Sequence, residues 1–87
     1  MTYEFRFLLD AEKQLRALDH LTARRILKKL LWIAEQEHPL HFATFLHNPK
    51  IGDVRFRIGD YRVIALVDER RKRIAIAAIG HRREIYR

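Results

Sequence analysis

The sequence contains neither cysteine nor serine, and it has only three glycines and two prolines. Without cysteine the chain has no disulfide framework and no thiolate metal site, and without serine it has no serine nucleophile. The three glycines fit turns or strand ends, so no glycine-rich phosphate loop is present. No apolar run approaches the roughly 20 residues that cross a bilayer. These absences leave a small globular protein whose chemistry must come from other side chains.

The remaining composition is that of one domain. The chain has 87 residues, of which 48% are hydrophobic, an ordinary fraction for a folded protein. We therefore expect a single domain over residues 1–87. The five histidines show no zinc-ligand spacing, and we predict neither a metal site nor a cofactor. Because the first residues lack a basic stretch followed by an apolar one, we expect a cytoplasmic protein.

Positive charge is concentrated in the second half of the chain. The net charge is +7. Residues 1–49 have seven Lys and Arg against six Asp and Glu, whereas residues 50–87 have eleven against five. Charge placed so unevenly favours an anionic partner, most often nucleic acid. The alternative is a charged surface that keeps a small protein in solution.

The first half of the chain predicts a strand and two helices. Residues 3–9 have the two-residue period of a strand. Asp10 is suited to cap a short helix and Thr22 a longer one, which Pro39 ends. Residues 39–53 are typical of a connecting segment. The expected apolar stripes are Ala11, Leu15 and Leu18 on the first helix, and Ile26, Leu27, Leu30, Leu31 and Ala34 on the second.

Strands dominate from Val54 onward. Gly59-Asp60 is a two-residue hairpin signal between two β-rich runs. Residues 73–80 follow a second turn and are apolar on both sides, as in a central or covered strand. We therefore predict an α+β fold: an N-terminal strand, a two-helix hairpin, then an antiparallel sheet of three or four strands. The hairpin register pairs Ile58 with Tyr61, Arg57 with Arg62, Phe56 with Val63, and Arg55 with Ile64.

That register places like charges against each other. Arg57 lies opposite Arg62, with Arg55 two residues away on the same face, and no acidic residue of that face neutralises them. Opposed like charges destabilise an antiparallel pair, and a local rule broken in this way often marks a functional site. Arginine binds phosphate through a bidentate fork, so we predict a polyanion site. The alternative is that these side chains extend into solvent or pair with carboxylates of the helices.

A second polar group follows the last strand. The sequence after Gly80 contains His81, Arg82, Arg83 and, near its end, Tyr86. Ala75 and Ala77 should make the strand's surface shallow beside the arginines. The phenol is able to stack on a base or to anchor the chain end, and the imidazole is able to exchange protons near neutral pH.

Two motifs then resemble a known family. Residues 58–64, Ile-Gly-Asp-Tyr-Arg-Val-Ile, and residues 79–87, Ile-Gly-His-Arg-Arg-Glu-Ile-Tyr-Arg, are similar to the RelE/ParE superfamily of bacterial and archaeal toxins, the RelE branch in particular. The resemblance covers essentially the whole chain. It implies a fold like that of microbial ribonucleases and a toxin of a type II toxin–antitoxin module. RelE-type members cut messenger RNA in the ribosomal A site, without a metal or cofactor.

The resemblance also implies roles for residues at the matching positions. Arg62 would contact the scissile phosphate, Arg82 would assist the leaving group, and Tyr86 would be the general base, with His81 as an alternative acid or base. Arg55 and Arg57 stand where the best-known members have lysines, and arginine binds anions but does not readily exchange protons. The side chains expected to bind RNA phosphate are Arg55, Arg57, His81 and Arg83.

Partners follow from the same resemblance. We expect a cognate antitoxin protein, the ribosome and messenger RNA, contact with operator DNA only through the antitoxin complex, and no membrane. The alternative function is that of a ParE-like poison of DNA gyrase without nuclease activity. A third possibility is a degenerate member that survives mainly as an antitoxin partner or co-repressor.

Overall fold

A five-stranded sheet with two helices on one face forms the fold in the computed structural model, which describes residues 3–85. The sheet order is β1-β5-β4-β3-β2, with β1 parallel to β5 and every other pair antiparallel. The predicted α+β class is confirmed. The predicted N-terminal strand, β1, joins the sheet beside β5, and a short β2 is the fourth strand of the antiparallel part. In chain order the elements are β1 (Glu4–Phe7), α1 (Leu9–Ala17), α2 (His20–Ala34), a 3-10 turn (Pro39–Phe42), β2 (Ala43–Phe45), β3 (Val54–Ile58), β4 (Tyr61–Asp68) and β5 (Arg73–His81).

Helix α1 begins earlier than its sequence signal predicts. Leu8 occupies the N-cap position without a side-chain cap, and Asp10 lies inside the first turn. The prediction that Asp10 caps this helix is therefore wrong, although its negative charge is favourable near the positive end of the helix dipole. The predicted apolar stripe is present: Ala11 and Leu15 are buried, and Leu18 packs against the core.

Helix α2 is capped by Asp19, whose carboxylate accepts the Thr22 backbone N–H at 3.1 Å. The prediction that Thr22 is the cap is wrong by three residues, because a side-chain cap bonds the N–H groups that follow it. The stripe is also narrower than predicted. Leu31 is 63% exposed and Leu27 37%, and Ala34 is half-buried, whereas the buried residues are Ile26, Leu30 and Ile33.

The segment 39–53 contains more structure than the predicted connection. After the 3-10 turn, β2 adds to the outer edge of β3, with Ala43 opposite Phe56 and Phe45 opposite Val54. Three residues are too short for a periodic pattern to reveal a strand. The rest of the segment leads back into β3.

The β3–β4 hairpin has the predicted register at every position named above. Gly59 has a φ of +59°, whereas the φ of Asp60 is not positive. A positive φ at the first turn residue alone is the pattern of a type II′ turn, which favours glycine there. Tyr61 packs against the core, as its parity with Val63 predicts. The alternation of β3 and β4 thus separates an apolar face that meets the helices from an outer face that carries the arginines.

Strand β5 is central, as predicted, but it contains a bulge. Ala65 pairs with Ile76 and Ile64 pairs with Ala78, so that Ala77 has no opposite residue on β4. A bulge of this kind shifts the alternation of the strand by one residue. Strict alternation from Ala75 would place an odd-numbered residue of β5 opposite Arg62, but the residue there is Gly80. The prediction that Ala75 and Ala77 make the shallow surface beside the arginines is therefore wrong. On β5 the residues opposite Ile64 and Arg62 are Ala78 and Gly80.

The core lies between the helices and the inner face of the sheet. The buried apolar side chains come from both layers: Ala11, Leu15, Ile26, Leu30 and Ile33 from the helices, and Val54, Phe56, Ile58, Val63, Ala65, Ile74, Ile76 and Ile79 from the strands. On the outer face the chain covers the sheet at Ile64, which is buried. There Gly52 lies so close to Ile64 that a Cβ on the glycine would come within 2.5 Å of the Ile64 Cγ2. Among residues 3–85 no helix is long and apolar enough to cross a membrane.

Candidate polyanion site

The outer face of the β3–β4 hairpin places three guanidinium side chains together. Arg57 and Arg62 are directly opposed, and Arg55 shares their face two residues along β3. We refer to the surface formed by these three residues as the arginine face. Within residues 3–85, no carboxylate lies within ion-pair distance of Arg57 or Arg62. The charge opposition predicted from the sequence is therefore real for this pair.

Arg62 is held in place by the hairpin turn. Its Nη1 donates to the carbonyl oxygens of Gly59 and Tyr61, at 3.0 Å each. These bonds use one nitrogen of the guanidinium and fold the side chain over the turn. Because Arg62 is half-buried and anchored at one nitrogen, its fork is held in a defined position, which suits a contact with one phosphate group.

Arg82 is attached to the same turn from the neighbouring strand. Its backbone N–H donates to the Asp60 carbonyl oxygen at 2.8 Å, and its Nε lies 3.9 Å from Asp60 Oδ1. The ion pair is long and solvent-exposed, with about half of the Arg82 side chain accessible (49%), so it neutralises little charge. The Gly59–Asp60 turn thus brings the arginine of β4 and the arginine beyond β5 to one end of the sheet.

His81 lies on the other side of the sheet. It pairs with Tyr61, and the two rings meet edge to face with centroids 5.6 Å apart. Opposed residues of an antiparallel pair point to the same face, and Tyr61 faces the helices. Strict alternation from Ala75 would have put His81 on the arginine face, but the bulge at Ala77 reverses its side. The His81 Nδ1 accepts the backbone N–H of Arg83 at 3.2 Å, which leaves Nε2 as its outward nitrogen.

The chain reverses direction after β5. The N–H groups of Glu84 and Ile85 both donate to the His81 carbonyl oxygen, at 2.9 and 3.0 Å, and so close one helical turn. This turn brings Ile85 against Gly80, where a Cβ on the glycine would come within 2.9 Å of the Ile85 Cδ1. Arg83 is exposed on the turn. Tyr86, predicted as the general base, lies outside the described residues.

One residue near the site gave no signal in the sequence. Gln14 of α1 accepts the Ile79 backbone N–H through Oε1 at 2.7 Å. β1 pairs with β5 only as far as Ile76, so this glutamine satisfies an amide on the side of β5 that β1 has left open. The bond holds the C-terminal end of β5 against α1. It joins residues 65 apart in the chain, and nothing local in the sequence indicates it.

A hollow of the described residues lies at the other end of the sheet. It has a volume of about 810 Å³, and its lining includes Asp53, Asp68 and Glu69. Carboxylates repel phosphate, so its size does not make it a competing anion site. Among residues 3–85 no three His, Asp or Glu side chains are placed to hold a metal ion.

The chemistry available at the hairpin end is therefore anion binding and charge stabilisation. Arginine remains protonated, and the carboxylate near Arg82 faces a cation rather than an apolar pocket. Of the two residues predicted to transfer protons, His81 lies at this end, and Tyr86 is outside the described residues. The structure brings Arg55, Arg57, Arg62 and Arg82 to one end of the sheet and separates His81 from them by the thickness of the sheet.

Comparison with known protein families identifies the class to which this chain belongs. The family model for the ParE toxin of the type II toxin–antitoxin system parDE matches residues 5–86. The chain therefore belongs to the RelE/ParE superfamily, and it is the toxin of a type II toxin–antitoxin module. No curated protein sequence matches this chain.

Solved structures agree with this assignment. One chain of the archaeal RelE–RelB complex from Pyrococcus horikoshii is 30% identical to this protein, with a TM-score of 0.74. The match covers 97% of this chain and 99% of that chain. The toxin–antitoxin complex RelBE2 from Mycobacterium tuberculosis is 25% identical, with a TM-score of 0.71, over 93% of this chain and 99% of that one. A mutant of the E. coli toxin RelE in the free state, at 23% identity and a TM-score of 0.70 over 99% of this chain and 92% of that one, shares the fold.

Proposed function

We propose that this toxin is a ribosome-dependent endoribonuclease that cuts messenger RNA in the ribosomal A site. The observation that carries the proposal is the opposed pair Arg57 and Arg62, which has no neutralising carboxylate among the described residues and has Arg82 fixed to the same turn. Such a pair costs stability in the free protein. A bound phosphodiester would offset that cost. The similarity to RelE structures supports a nuclease activity.

The proposed reaction is an internal transfer at phosphorus. The ribose 2′-oxygen loses its proton and bonds to the adjacent phosphorus, the bond to the 5′-oxygen breaks, and that oxygen gains a proton. The products are a 2′,3′-cyclic phosphate and a 5′-hydroxyl. Negative charge builds on the phosphoryl oxygens midway, and fixed guanidinium groups stabilise it. Arg62 would contact the scissile phosphate and Arg82 the leaving oxygen, while Arg55 and Arg57 would hold the flanking phosphates.

The groups proposed for proton transfer are the phenol of Tyr86 and the imidazole of His81. A free tyrosine loses its proton near pH 10, so Tyr86 would act as base only where guanidinium charges favour the phenolate. The prediction that His81 and Arg83 bind RNA phosphate stays a prediction. His81 would reach RNA only at the end of the sheet and through Nε2, because Nδ1 already accepts the Arg83 N–H.

Ribosome dependence follows from the weakness of the proton-transfer groups. A site without a strong base gains most from a substrate that is already positioned for attack, and the decoding site would hold the message in that way. We therefore expect weak or absent cleavage of free RNA.

A cognate antitoxin is the proposed protein partner. The neighbours from P. horikoshii and M. tuberculosis are both complexes of a toxin with its antitoxin. We propose that the antitoxin of this chain blocks access to the ribosome and that any contact with operator DNA is made through the antitoxin complex.

The test is cleavage of a defined message on ribosomes with a vacant A site, mapped by primer extension. Arg62→Ala should lower the cleavage rate by about 10²–10³, as expected for loss of one preorganised donor. Tyr86→Phe should lower it as strongly if the phenol is the base. Lys50→Ala, an exposed loop cation outside the site, is the matched control and should cut normally. Intact message with the wild-type toxin would overturn the proposal.

The second candidate is a gyrase poison without nuclease activity. The observation that favours it is the family model, whose description is that of the ParE toxin. Incubation with purified gyrase and supercoiled DNA separates the two functions. Gyrase-dependent DNA breaks together with an uncut message would support the poison, and a cut message without DNA breaks would support the ribonuclease.

A further inference from the structure

The outward surface of α2 carries a second group of cations. We refer to these four exposed residues as the basic ridge: Arg24, Arg25, Lys28 and Lys29. Leu21 lies at one end of the ridge and Trp32 at the other, and the side-chain stems border a shallow hollow of about 440 Å³. The ridge contains two i,i+4 pairs of like charge, which weaken a helix. No acidic residue occupies the first turn of α2 to compensate.

The ridge and the arginine face lie on opposite sides of the protein. Ile26, Leu30 and Ile33 are the buried residues of α2 and face the inner side of the sheet. With 100° between successive residues, the ridge projects away from that buried stripe. The arginine face is the outer side of the same sheet. A helix layer and a sheet layer therefore separate the two cationic surfaces, and one short strand of RNA cannot cover both.

No carboxylate of the described residues neutralises the charge of the ridge. Among residues 3–85 none of its four cations forms an ion pair with a carboxylate. By contrast Arg16 on α1 pairs with Glu12 at 2.8 Å. Four cations within two turns of helix, free of acids, make a surface whose partner carries closely spaced negative charges.

The apolar groups at the ridge favour a phosphate backbone over an acidic helical peptide. The Trp32 ring already has the Lys29 Nζ 4.4 Å from its centroid and Phe42 edge to face at 5.0 Å. Leu21 lies three turns away, about 16 Å along the axis. A docked amphipathic helix needs apolar anchors at successive turns of a continuous groove. Within the ridge itself the positions between the two ends are cations, and the exposed Leu27 and Leu31 lie beside it on one flank of α2.

We infer that the basic ridge binds the phosphate backbone of structured RNA while the arginine face holds the substrate strand. The inference rests on the proposed function and extends it: the toxin would be gripped from two opposite sides, by folded RNA at α2 and by the message at the sheet. Binding at the ridge orients the arginine face and contributes to affinity, whereas the chemistry takes place on the other side. Binding of folded RNA at the ridge also gives a reason why the toxin acts on the ribosome and not on free message.

The first experiment measures binding alone, so it does not depend on cleavage. The probe is a blunt RNA duplex of about 16 base pairs, with affinity measured between about 50 and 200 mM salt. The ridge variant Arg24→Gln/Lys28→Gln should bind more weakly and lower the slope of log K against log salt by about 2, one for each lost phosphate contact. The matched control Lys13→Gln/Lys50→Gln removes the same charge elsewhere and should leave the slope nearly unchanged. Equal slopes for the two variants would overturn the inference.

The second experiment uses programmed ribosomes with a vacant A site. The ridge variant should need about tenfold more ribosomes for half-maximal cleavage, with a saturated rate within about twofold of wild type, because only binding shared by ground and transition states is lost. Arg62→Ala should instead lose the saturated rate. If wild-type toxin cuts no message, the proposed function is wrong. The affinity for the RNA duplex still tests whether the basic ridge binds RNA. A ridge variant that keeps its RNA affinity but escapes neutralisation by the antitoxin would assign the ridge to protein docking and overturn the inference.

Discussion

Gly80 and Ile85 are in contact at the end of the sheet: a Cβ placed on the glycine would lie 2.9 Å from the Ile85 Cδ1. Gly80 is also the residue opposite Arg62. The contact therefore links the position of the turn after β5 to the arginine face, and it makes a specific test of that link possible.

Substitution of Gly80→Ala should displace the turn that contains Arg82 and Arg83. Because small misplacements of a reacting group lower rates strongly, we expect about a tenfold loss of cleavage with little change in Tm. The double variant Gly80→Ala/Ile85→Val removes only the Cδ1 that the new methyl group meets, and it should recover most of the rate. Single-turnover cleavage on ribosomes is the measurement. No recovery in the double variant would show that the turn does not position the site.

Arg57→Gln should stabilise the protein while it weakens function. It removes one of two opposed like charges, a change worth about 0.2–1 kcal/mol, which is on the order of a few degrees in Tm for a domain of this size. Arg70→Gln, in the exposed turn between β4 and β5, is the control. The gain should shrink at high salt, since salt screens exposed charges. A Tm that falls for Arg57→Gln at low salt would contradict the view that the pair is strained.

His81 offers a comparison between two amides. The oxygen of Asn at position 81 is placed to replace Nδ1 and to accept the Arg83 N–H, whereas the longer Gln places its polar group nearer to Nε2. If His81 acts by holding the turn, His81→Asn should keep cleavage within about threefold and His81→Gln should lose about tenfold. The pH–rate profile of His81→Asn should then match wild type. A profile that loses an ionisation near neutral pH in both variants would assign acid–base chemistry to His81 instead.

The α2 cap predicts a change of stability in acid. Hydrogen bonds from the Thr22 side chain and backbone lower the pKa of Asp19 from its ordinary value of 3.8. A carboxylate with a lowered pKa in the folded state stabilises the protein above its unfolded pKa, and this contribution is lost as the pH falls through the folded value. Asp19→Asn keeps a cap without the charge. The stability of wild type minus that of Asp19→Asn should therefore be constant above about pH 5 and should decrease below about pH 4. Urea unfolding over this range measures it, and a difference independent of pH would contradict the charged cap.

The sequence predicts those parts of the fold that depend on local chemistry. The register of the β3–β4 hairpin is one such part, because Gly59-Asp60 and a two-residue period determine it together. The arginine face follows from that register, so the sequence also predicts its three residues. The burial of Ala11 and Leu15 is another, since a helical period predicts a buried stripe.

Other features depend on contacts between residues distant in the chain, and the sequence does not predict them. The bulge at Ala77 is one such feature, and strict alternation without it assigns His81 to the wrong face. The cap at Asp19 was displaced to Thr22 because both residue types favour caps. The bond from Ile79 to Gln14 arises only when α1 crosses the end of β5.

Strand β2 has a practical consequence for handling the toxin. It forms one border of the sheet, and its Phe45 side chain is 60% exposed. A border strand of this kind is able to recruit a second molecule, and the net charge of +7 is the main barrier that keeps copies apart. Concentrated salt, often added to strip nucleic acid from basic proteins, weakens that barrier. Purified toxin should therefore keep best in dilute buffer of low ionic strength.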